Sequence, residues 1–226
     1  MFCNLGTILG AITIGITSIL ELTNVKNVRN ILNNQGFLHY ANAWVHATFN
    51  SLVLGPLTYR IIELTCIDKG GTHSFFTSIL NFTGIVAIHS FGYYVAHLLM
   101  HQKKLFFMHK FHHTFSSWVT PVIAMAVSPC EYLFAYMLPF VLASKLICPS
   151  RMELVSSAGA ISLCNIVIHC QSLEFLSEYY SEWVVSPNNH LTHHRRNATH
   201  FSAPTFNLDY FVEKAKYLIC VNVKND

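Results

Sequence analysis

Long runs of apolar residues recur along the chain, and each run is interrupted by few polar positions. Residues 2–20 carry no charged side chain, and Glu21 is the first ionisable residue. At about 1.5 Å of rise per residue, a helix of this length is nearly long enough to cross the hydrocarbon core of a bilayer. We expect a retained membrane anchor rather than a signal peptide, because no basic segment precedes the run and no clear small-x-small cleavage site follows it.

Further apolar stretches predict helices of the same kind, at residues 40–57, 75–100, 131–147 and 154–171. The apolar residues 117–130 are expected to form a short piece at the membrane interface, and Cys-Pro-Ser-Arg at 148–151 indicates a turn. The remaining charge is concentrated in about the last 50 residues, which are expected to form a polar cap and tail. The pattern predicts an all-α protein with about four to five membrane-spanning helices.

The composition supports a membrane protein and excludes several other classes. Hydrophobic residues make up 52% of the 226 residues and charged residues 11%, whereas an ordinary soluble domain carries about 25% charged residues. So apolar and aperiodic a sequence excludes a disordered chain, collagen and a coiled coil. The formal net charge of +3 is spread over several short loops, which is unlike the basic face that nucleic-acid binding requires.

Histidine is the second unusual feature, because the 14 histidines outnumber the 11 acidic residues. Most of them form one H-x3-H motif and two H-x2-H-H motifs, which comprise His97, His101, His109, His112, His113, His190, His193 and His194. Helical positions i, i+3 and i+4 share a face, so we expect each motif to direct two or three imidazoles the same way. The isolated His39, His46 and His73 are expected to be packed, hydrogen-bonded residues.

The charges beside the motifs predict their side of the membrane. Lys103, Lys104 and Lys110 flank the first cluster of histidines, and Arg195 and Arg196 follow the second. The positive-inside rule places both clusters on the cytosolic side, and the two predicted crossings between them agree. We therefore expect a cytosolic, histidine-rich helical cap, with His169 emerging on the same side.

Convergent imidazoles at this spacing are typical of a metal site. Eight clustered histidines plus His169 exceed the four to six ligands that one metal accepts, so two metals are expected. A chance or pH-sensitive patch is disfavoured, because burying so many imidazoles near a bilayer without a partner is costly. Iron is favoured over zinc: no cysteine lies beside the clusters, and zinc has no accessible second oxidation state for chemistry on O2. The chain lacks the Glu-rich ligand set of soluble di-iron bundles.

The residues around the motifs extend the pattern. They read S-x2-Y-Y-x2-H-x3-H-x7-H-x2-H-H from Ser90 to His113, and S-P-x2-H-x2-H-H from Ser186 to His194. This arrangement, over residues 88–210, resembles the fatty acid hydroxylase / sterol desaturase superfamily. The stretch HLLMHQKKLFFMHKFHHTF looks most like the C4-methyl sterol oxidase branch.

The resemblance implies a membrane-embedded, non-haem di-iron oxygenase that hydroxylates or desaturates a lipid. It implies two iron ions, O2 as co-substrate, and NAD(P)H-derived electrons from cytochrome b5 or a reductase. It also implies residence in the endoplasmic reticulum membrane. The chain then divides into anchor helices at 1–74, a fatty acid hydroxylase-like domain at 75–210 and a tail at 211–226. No nucleotide-binding glycine motif is present, so the electrons are expected from a partner.

Carried over residue by residue, the resemblance implies nine iron ligands: His97, His101, His109, His112, His113, His169, His190, His193 and His194. His200 and His89 are further candidates. The chain departs from the family pattern at Ser90, where an acidic residue is common, at Leu98, where Arg is common, and at His200-Phe201, where Asn-Tyr is common. Asp209 matches a family aspartate and is expected to be structural.

Two other functions are compatible with such a chain. A catalytically silent, zinc-holding membrane scaffold would explain the histidines and the departures at Ser90 and Leu98. A transporter with a histidine proton relay is disfavoured, because a relay would place polar residues along several helices rather than at one end.

Overall fold

The computed structural model describes residues 5–68 and 73–223. The predicted start of the first span at Phe2 and the end of the tail at 224–226 lie outside these ranges. The α-helices are α1 (Leu5–Glu21), α2 (Val25–Asn34), α3 (Phe37–Phe49), α4 (Gly55–Thr65), α5 (Phe75–Met100), α6 (Phe106–His113), α7 (Pro129–Glu131), α8 (Leu138–Ile147), α9 (Arg151–Ile168), α10 (Pro187–Arg196) and α11 (Leu208–Val223).

Shorter helical turns join these helices. They are 3-10 turns at Leu22–Asn24, Pro121–Ala124 and Gln171–Tyr179, and π-helical segments at Asn50–Leu54 and Tyr132–Met137. No β-strand occurs within the described ranges, where Val184 and Phe206 form an isolated bridge. The prediction of an all-α protein is confirmed.

Four helical segments are long and apolar enough to cross a membrane: Leu5–Asn34, Phe75–Met100, Pro129–Ile147 and Arg151–Ile168. They confirm the predicted multispanning architecture. The predicted stretch at 40–57 is also helical, within a continuous segment from α3 to α4, but it is not one of these four. This segment carries His39, Asn42, His46 and Asn50 among its apolar residues.

Polar caps determine where several of these helices begin. Ser150 accepts a hydrogen bond from the Glu153 amide, and the Glu153 carboxylate accepts one from the Ser150 amide, which is a complete capping box. α9 therefore begins at Arg151, three residues before the predicted start. At the start of α10, the Ser186 hydroxyl accepts a hydrogen bond from the Asn189 amide, and Pro187 occupies the first position of the helix.

The segment between α6 and α7 is buried in the bundle, with Val122, Ile123, Ala124 and Ala126 all 0% exposed. A buried loop must satisfy its backbone polar groups inside the protein. Two buried asparagines satisfy backbone carbonyls of this segment. Asn50 Nδ2 donates to the Met125 and Val127 carbonyls at 3.0 and 2.9 Å. Asn165 Nδ2 donates to the Ala124 carbonyl at 2.9 Å.

The end of α1 contacts the same segment through an acidic side chain. Glu21 is buried, and its Oε1 accepts a hydrogen bond from the Val122 amide at 2.7 Å. Its Oε2 accepts one from the Tyr40 hydroxyl at 3.1 Å. The first charged residue after the apolar run therefore ties α1 to α3 and to the buried loop.

Candidate metal centre

The histidine motifs converge at one end of the bundle, where four helices end or begin. His97 lies in the last turn of α5 and His101 at its C-cap, while His169 is the C-cap of α9. α6 carries His109, His112 and His113, and α10 carries His190, His193 and His194. The structure brings all nine predicted histidines together, in two groups.

The first group, centre A, contains five histidines: His97, His101, His109, His113 and His193. Its candidate ligand atoms all lie within 4.8 Å of one another. Adjacent Nε2 atoms are 2.9 Å apart for His97–His109 and His109–His113, and 3.2 Å apart for His113–His193 and His101–His193. The five ring nitrogens therefore surround one small volume.

The second group, centre B, contains four histidines: His112, His169, His190 and His194. Nε2 of His169 lies 2.9 Å from that of His190 and 3.3 Å from that of His112. The two centres adjoin, because the rings of His113 in centre A and His194 in centre B are only 5.0 Å apart.

Each H-x2-H-H motif is divided between the centres. In α6, His109 and His113 enter centre A and His112 enters centre B; in α10 the division is reversed, with His190 and His194 in centre B and His193 in centre A. Two imidazoles of each motif therefore face the same centre, within the expected two or three, and the remaining one faces the neighbouring centre.

Helix geometry explains the division. Successive residues are rotated by about 100° around a helix, so positions i and i+4 differ by about 40°, whereas i+3 and i+4 differ by about 100°. The imidazole at i+3, which is His112 in α6 and His193 in α10, is thus aimed at the neighbouring centre. His97 and His101 are spaced i, i+4 and serve one centre together.

Burial keeps these imidazoles neutral. Eight of the nine are buried, and His101 is half-buried. Loss of hydration lowers the pKa of His101 and His169 to about 4 and that of His113 to about 3. It also holds the pKa of His109 and His193 well below the usual value. A neutral ring offers the nitrogen lone pair that a metal requires.

Hydrogen bonds to the other ring nitrogen orient three of the rings. Nδ1 of His97 lies 2.7 Å from the Phe201 carbonyl oxygen. Nδ1 of His169 lies 2.7 Å from the Asn165 carbonyl oxygen, and Nδ1 of His193 lies 2.8 Å from the Thr199 carbonyl oxygen. A carbonyl only accepts, so Nδ1 carries the proton and the Nε2 lone pair faces the centre.

Glu131 orients a fourth ring and was not identified from the sequence as a functional residue. Its side chain is 0% exposed, and its Oε1 accepts a hydrogen bond from His109 Nδ1 at 2.6 Å. A carboxylate in this position fixes the tautomer of a ligating histidine and raises its basicity. A lone acidic residue inside an apolar run was the available signal.

The two further candidates, His89 and His200, lie outside both centres. His89 is buried in α5, about two turns before His97, and its Nδ1 makes no hydrogen bond. His200 lines a polar surface cavity and has a left-handed backbone with φ of 56°. The next residue, Phe201, supplies the carbonyl that orients His97.

Ser90, where the chain departs from the family pattern, and Asp209, which matches it, both form hydrogen bonds within the protein. The Ser90 hydroxyl donates to the Val86 carbonyl at 2.7 Å and also contacts the Thr205 hydroxyl. Asp209 Oδ2 accepts from the Ser202 amide at 2.7 Å, and the Ser202 hydroxyl accepts from the Asp209 amide at 2.8 Å. These bonds agree with the expected structural role of Asp209, because they fix the turn that follows the last motif.

The three isolated histidines are also placed as expected. His39 stacks on Phe115 and lies 3.0 Å from the Thr114 hydroxyl, and His46 packs on Phe111. His73 lies at the other end of the bundle, 2.8 Å from a Glu153 carboxylate oxygen.

The donor set fits metal ions. Ligand nitrogens at right angles around a metal, each about 2.1 Å away, are about 3.0 Å apart, which is close to the spacing in both centres. Facing lone pairs at such distances repel one another unless a cation lies between them. Both ring nitrogens of His194 are buried without a hydrogen-bond partner, and a metal ion in centre B would satisfy one of them.

Comparisons with known proteins add one finding. The model of the fatty acid hydroxylase family matches residues 82–213, which is more than half of the chain and includes all nine histidines. This match supports the superfamily expected from the motifs and does not distinguish the C4-methyl sterol oxidase branch. The curated proteins and the solved structures give no match.

Proposed function

Because the chain belongs to the fatty acid hydroxylase family, we propose that it is a membrane-embedded di-iron oxygenase that hydroxylates or desaturates a lipid. The observation that carries this proposal is the convergence of nine histidines into two adjoining centres at one end of an apolar helical bundle. Centre A would hold one iron ion and centre B the other, with all nine histidines as ligands.

The ligand set favours iron over zinc. Structural zinc is usually bound by four ligands that include thiolates, whereas neither centre contains a cysteine and centre A offers five nitrogens. Iron bound there would supply the activation of O2, which no side chain can provide. The chain's own contribution is to orient the rings through the Phe201, Asn165 and Thr199 carbonyls and to keep them neutral by burial.

The overall reaction balances with an external electron donor. In hydroxylation, a C–H bond becomes C–OH, and the second oxygen atom leaves as water with two protons and two donor electrons. In desaturation, the substrate loses two hydrogens and both oxygen atoms leave as water, again with two protons and two donor electrons. The substrate class proposed is a sterol carrying a C4-methyl group or a fatty acyl chain.

The surface beside the centres suits an electron-transfer partner. Lys103, Lys104 and Arg196 are exposed on the loops and helix end that flank the histidines. Positive charge on this side favours a cytosolic orientation, here proposed for the endoplasmic reticulum membrane. It also favours docking of an acidic donor such as cytochrome b5 or a reductase, because complementary charge accelerates association.

Metal analysis of the purified chain tests the proposal most directly. We expect iron in both centres and O2 consumption when a reductant and a lipid are supplied. Stable zinc without iron, and no O2 consumption, would instead identify a zinc-holding scaffold.

The lipid class is tested in cells. Lipid mass spectrometry of a host deficient in sterol C4-demethylation, with and without the chain, should show a restored sterol profile if the sterol branch is correct. An unchanged sterol profile with newly oxidised acyl chains would assign the enzyme to fatty acyl substrates.

A further inference from the structure

A half-open cavity lies between the helices of the bundle. Its walls come from α1, from α4 and Ser51 before it, from the segment between Tyr132 and Phe140, and from α9. None of the nine histidines lines it, so it is separate from centres A and B.

Most of the cavity wall is apolar. Leu9 of α1, Phe140 of α8, and Ala158 and Ile161 of α9 line it. The lining residues come from the first half of α1 and from positions between the ends of Pro129–Ile147 and α9, and α5 contributes His89. The cavity is therefore at the depth of the hydrocarbon core, where an apolar ligand is available.

One end of the cavity adjoins centre B through Asn165. This residue lines the cavity, its Nδ2 holds the Ala124 carbonyl of the buried loop, and its own carbonyl accepts from His169 Nδ1 at 2.7 Å. Asn165 precedes His169 by four residues, about 6 Å along α9.

Two tyrosines in edge-to-face contact join the same end of the cavity to centre A. Tyr136 lines the cavity, its ring is 5.0 Å from that of Tyr93, and the ring of Tyr93 is 5.3 Å from that of His97. The cavity is thus separated from each centre by only one or two side chains.

We propose that this cavity holds an alkyl chain of the lipid substrate, an inference that rests on the oxygenase function proposed above. An apolar chain can pass from the bilayer into an apolar cavity, whereas a charged headgroup would lose its hydration there. The headgroup therefore stays at the membrane rim, where the histidines lie, and the chain extends from the centres into the bundle. Such a chain belongs either to an acyl lipid or to a sterol side chain.

Photolabelling of the purified, metal-loaded protein tests this placement and separates the two sources. One probe is a fatty acid with a diazirine on its chain, and the other is a sterol with a diazirine on its side chain. We expect the correct probe to label peptides that contain residues 6–13 of α1 and 158–165 of α9. An excess of the unlabelled lipid should suppress this labelling.

Filling the cavity provides the matched comparison. Ala158→Phe places a ring in the cavity, and Leu163→Phe adds the same ring five residues later on a side chain that is 47% exposed. We expect roughly tenfold weaker labelling in Ala158→Phe, equivalent to ~1.4 kcal/mol, and unchanged labelling in Leu163→Phe. Both variants should keep their metal. If Ala158→Phe does not fold, Ser162→Leu fills the cavity instead, because Ser162 also lines it.

The outcomes separate this inference from the function on which it rests. Lipid oxidation without labelling of the cavity, or labelling that neither filling variant reduces, would overturn the inference and leave the oxygenase intact. Labelling that the filling variants remove, in a chain that consumes no O2, would support the cavity and overturn the oxygenase.

Discussion

The two ends of the bundle place the same residue type in opposite environments. At one end, nine histidines face one another in centres A and B. At the other end, about 36 Å away along α5, His73 lies between carboxylates, with Nε2 3.2 Å from Asp68 and Nδ1 2.8 Å from Glu153. α5 and α9 connect the two ends, so the difference is local to the side chains around each ring.

The comparison shows that surroundings, rather than histidine content, decide what an imidazole does. Burial lowers the pKa of His113 to about 3 and of His169 to about 4, which leaves free lone pairs. Hydrogen bonds that His73 donates to Glu153 and Asp68 instead raise the pKa of His73, which favours the imidazolium. The first environment suits metal binding, and the second suits an ion pair that ties the start of α5 to α9.

The largest expected effect comes from removing one ligand of each centre. His193→Ala takes a nitrogen from centre A and His112→Ala takes one from centre B, so each variant should lose bound metal and lipid oxidation. Metal content and product formation are measured on purified protein. His73→Ala is the matched control and should keep both, because it lies at the other end of the bundle. Normal turnover in either centre variant would contradict the assignment of these residues as ligands.

A carboxylate at each end sharpens the comparison. Glu131→Gln keeps the size of the side chain but exchanges the carboxyl group that orients His109 for an amide, which is a poorer acceptor, and a change in such a contact typically weakens metal binding about 10–100-fold. Glu153→Gln makes the same change beside His73 and should leave metal affinity unchanged. Competition with a chelator measures the two affinities. Equal affinities in both variants would show that Glu131 does not support His109.

The sequence was sufficient to predict the membrane-spanning helices and the eight clustered histidines, because apolar length and i, i+3, i+4 spacing are local properties; the isolated His169 was expected from the resemblance. Helical spacing separates the ring at i+3 from the other two in each H-x2-H-H motif, but it could not predict which rings of α6 and α10 share a centre, since that depends on where the two helices lie relative to each other. The roles of Glu131 and Asn50 could not be predicted for the same reason, because each hydrogen-bonds to a residue that only the fold brings near. The capping box of Ser150 and Glu153 was a local signal, and its S-x-x-E pattern could have placed the start of α9 correctly.

The smallest expected effect is a pH dependence confined to the end that holds His73. The pKa of His73 is raised by the hydrogen bond to Glu153 and by Asp68, so the folded state holds its proton more tightly than the unfolded state, where the pKa is about 6.5. The resulting stabilisation is fully present below about pH 6.5 and is lost as the pH rises through the raised pKa. His73→Gln removes it.

The difference in thermal unfolding midpoint between the original chain and His73→Gln should therefore be larger at about pH 5.5 than at about pH 9. Ser78→Ala provides the control, because the Ser78 hydroxyl also hydrogen-bonds to Glu153 but carries no titrating group. Its effect on the midpoint should not change with pH in this way. A difference for His73→Gln that grew with rising pH would mean that His73 is neutral in the folded protein, and the contrast between the two ends would then lose its electrostatic basis.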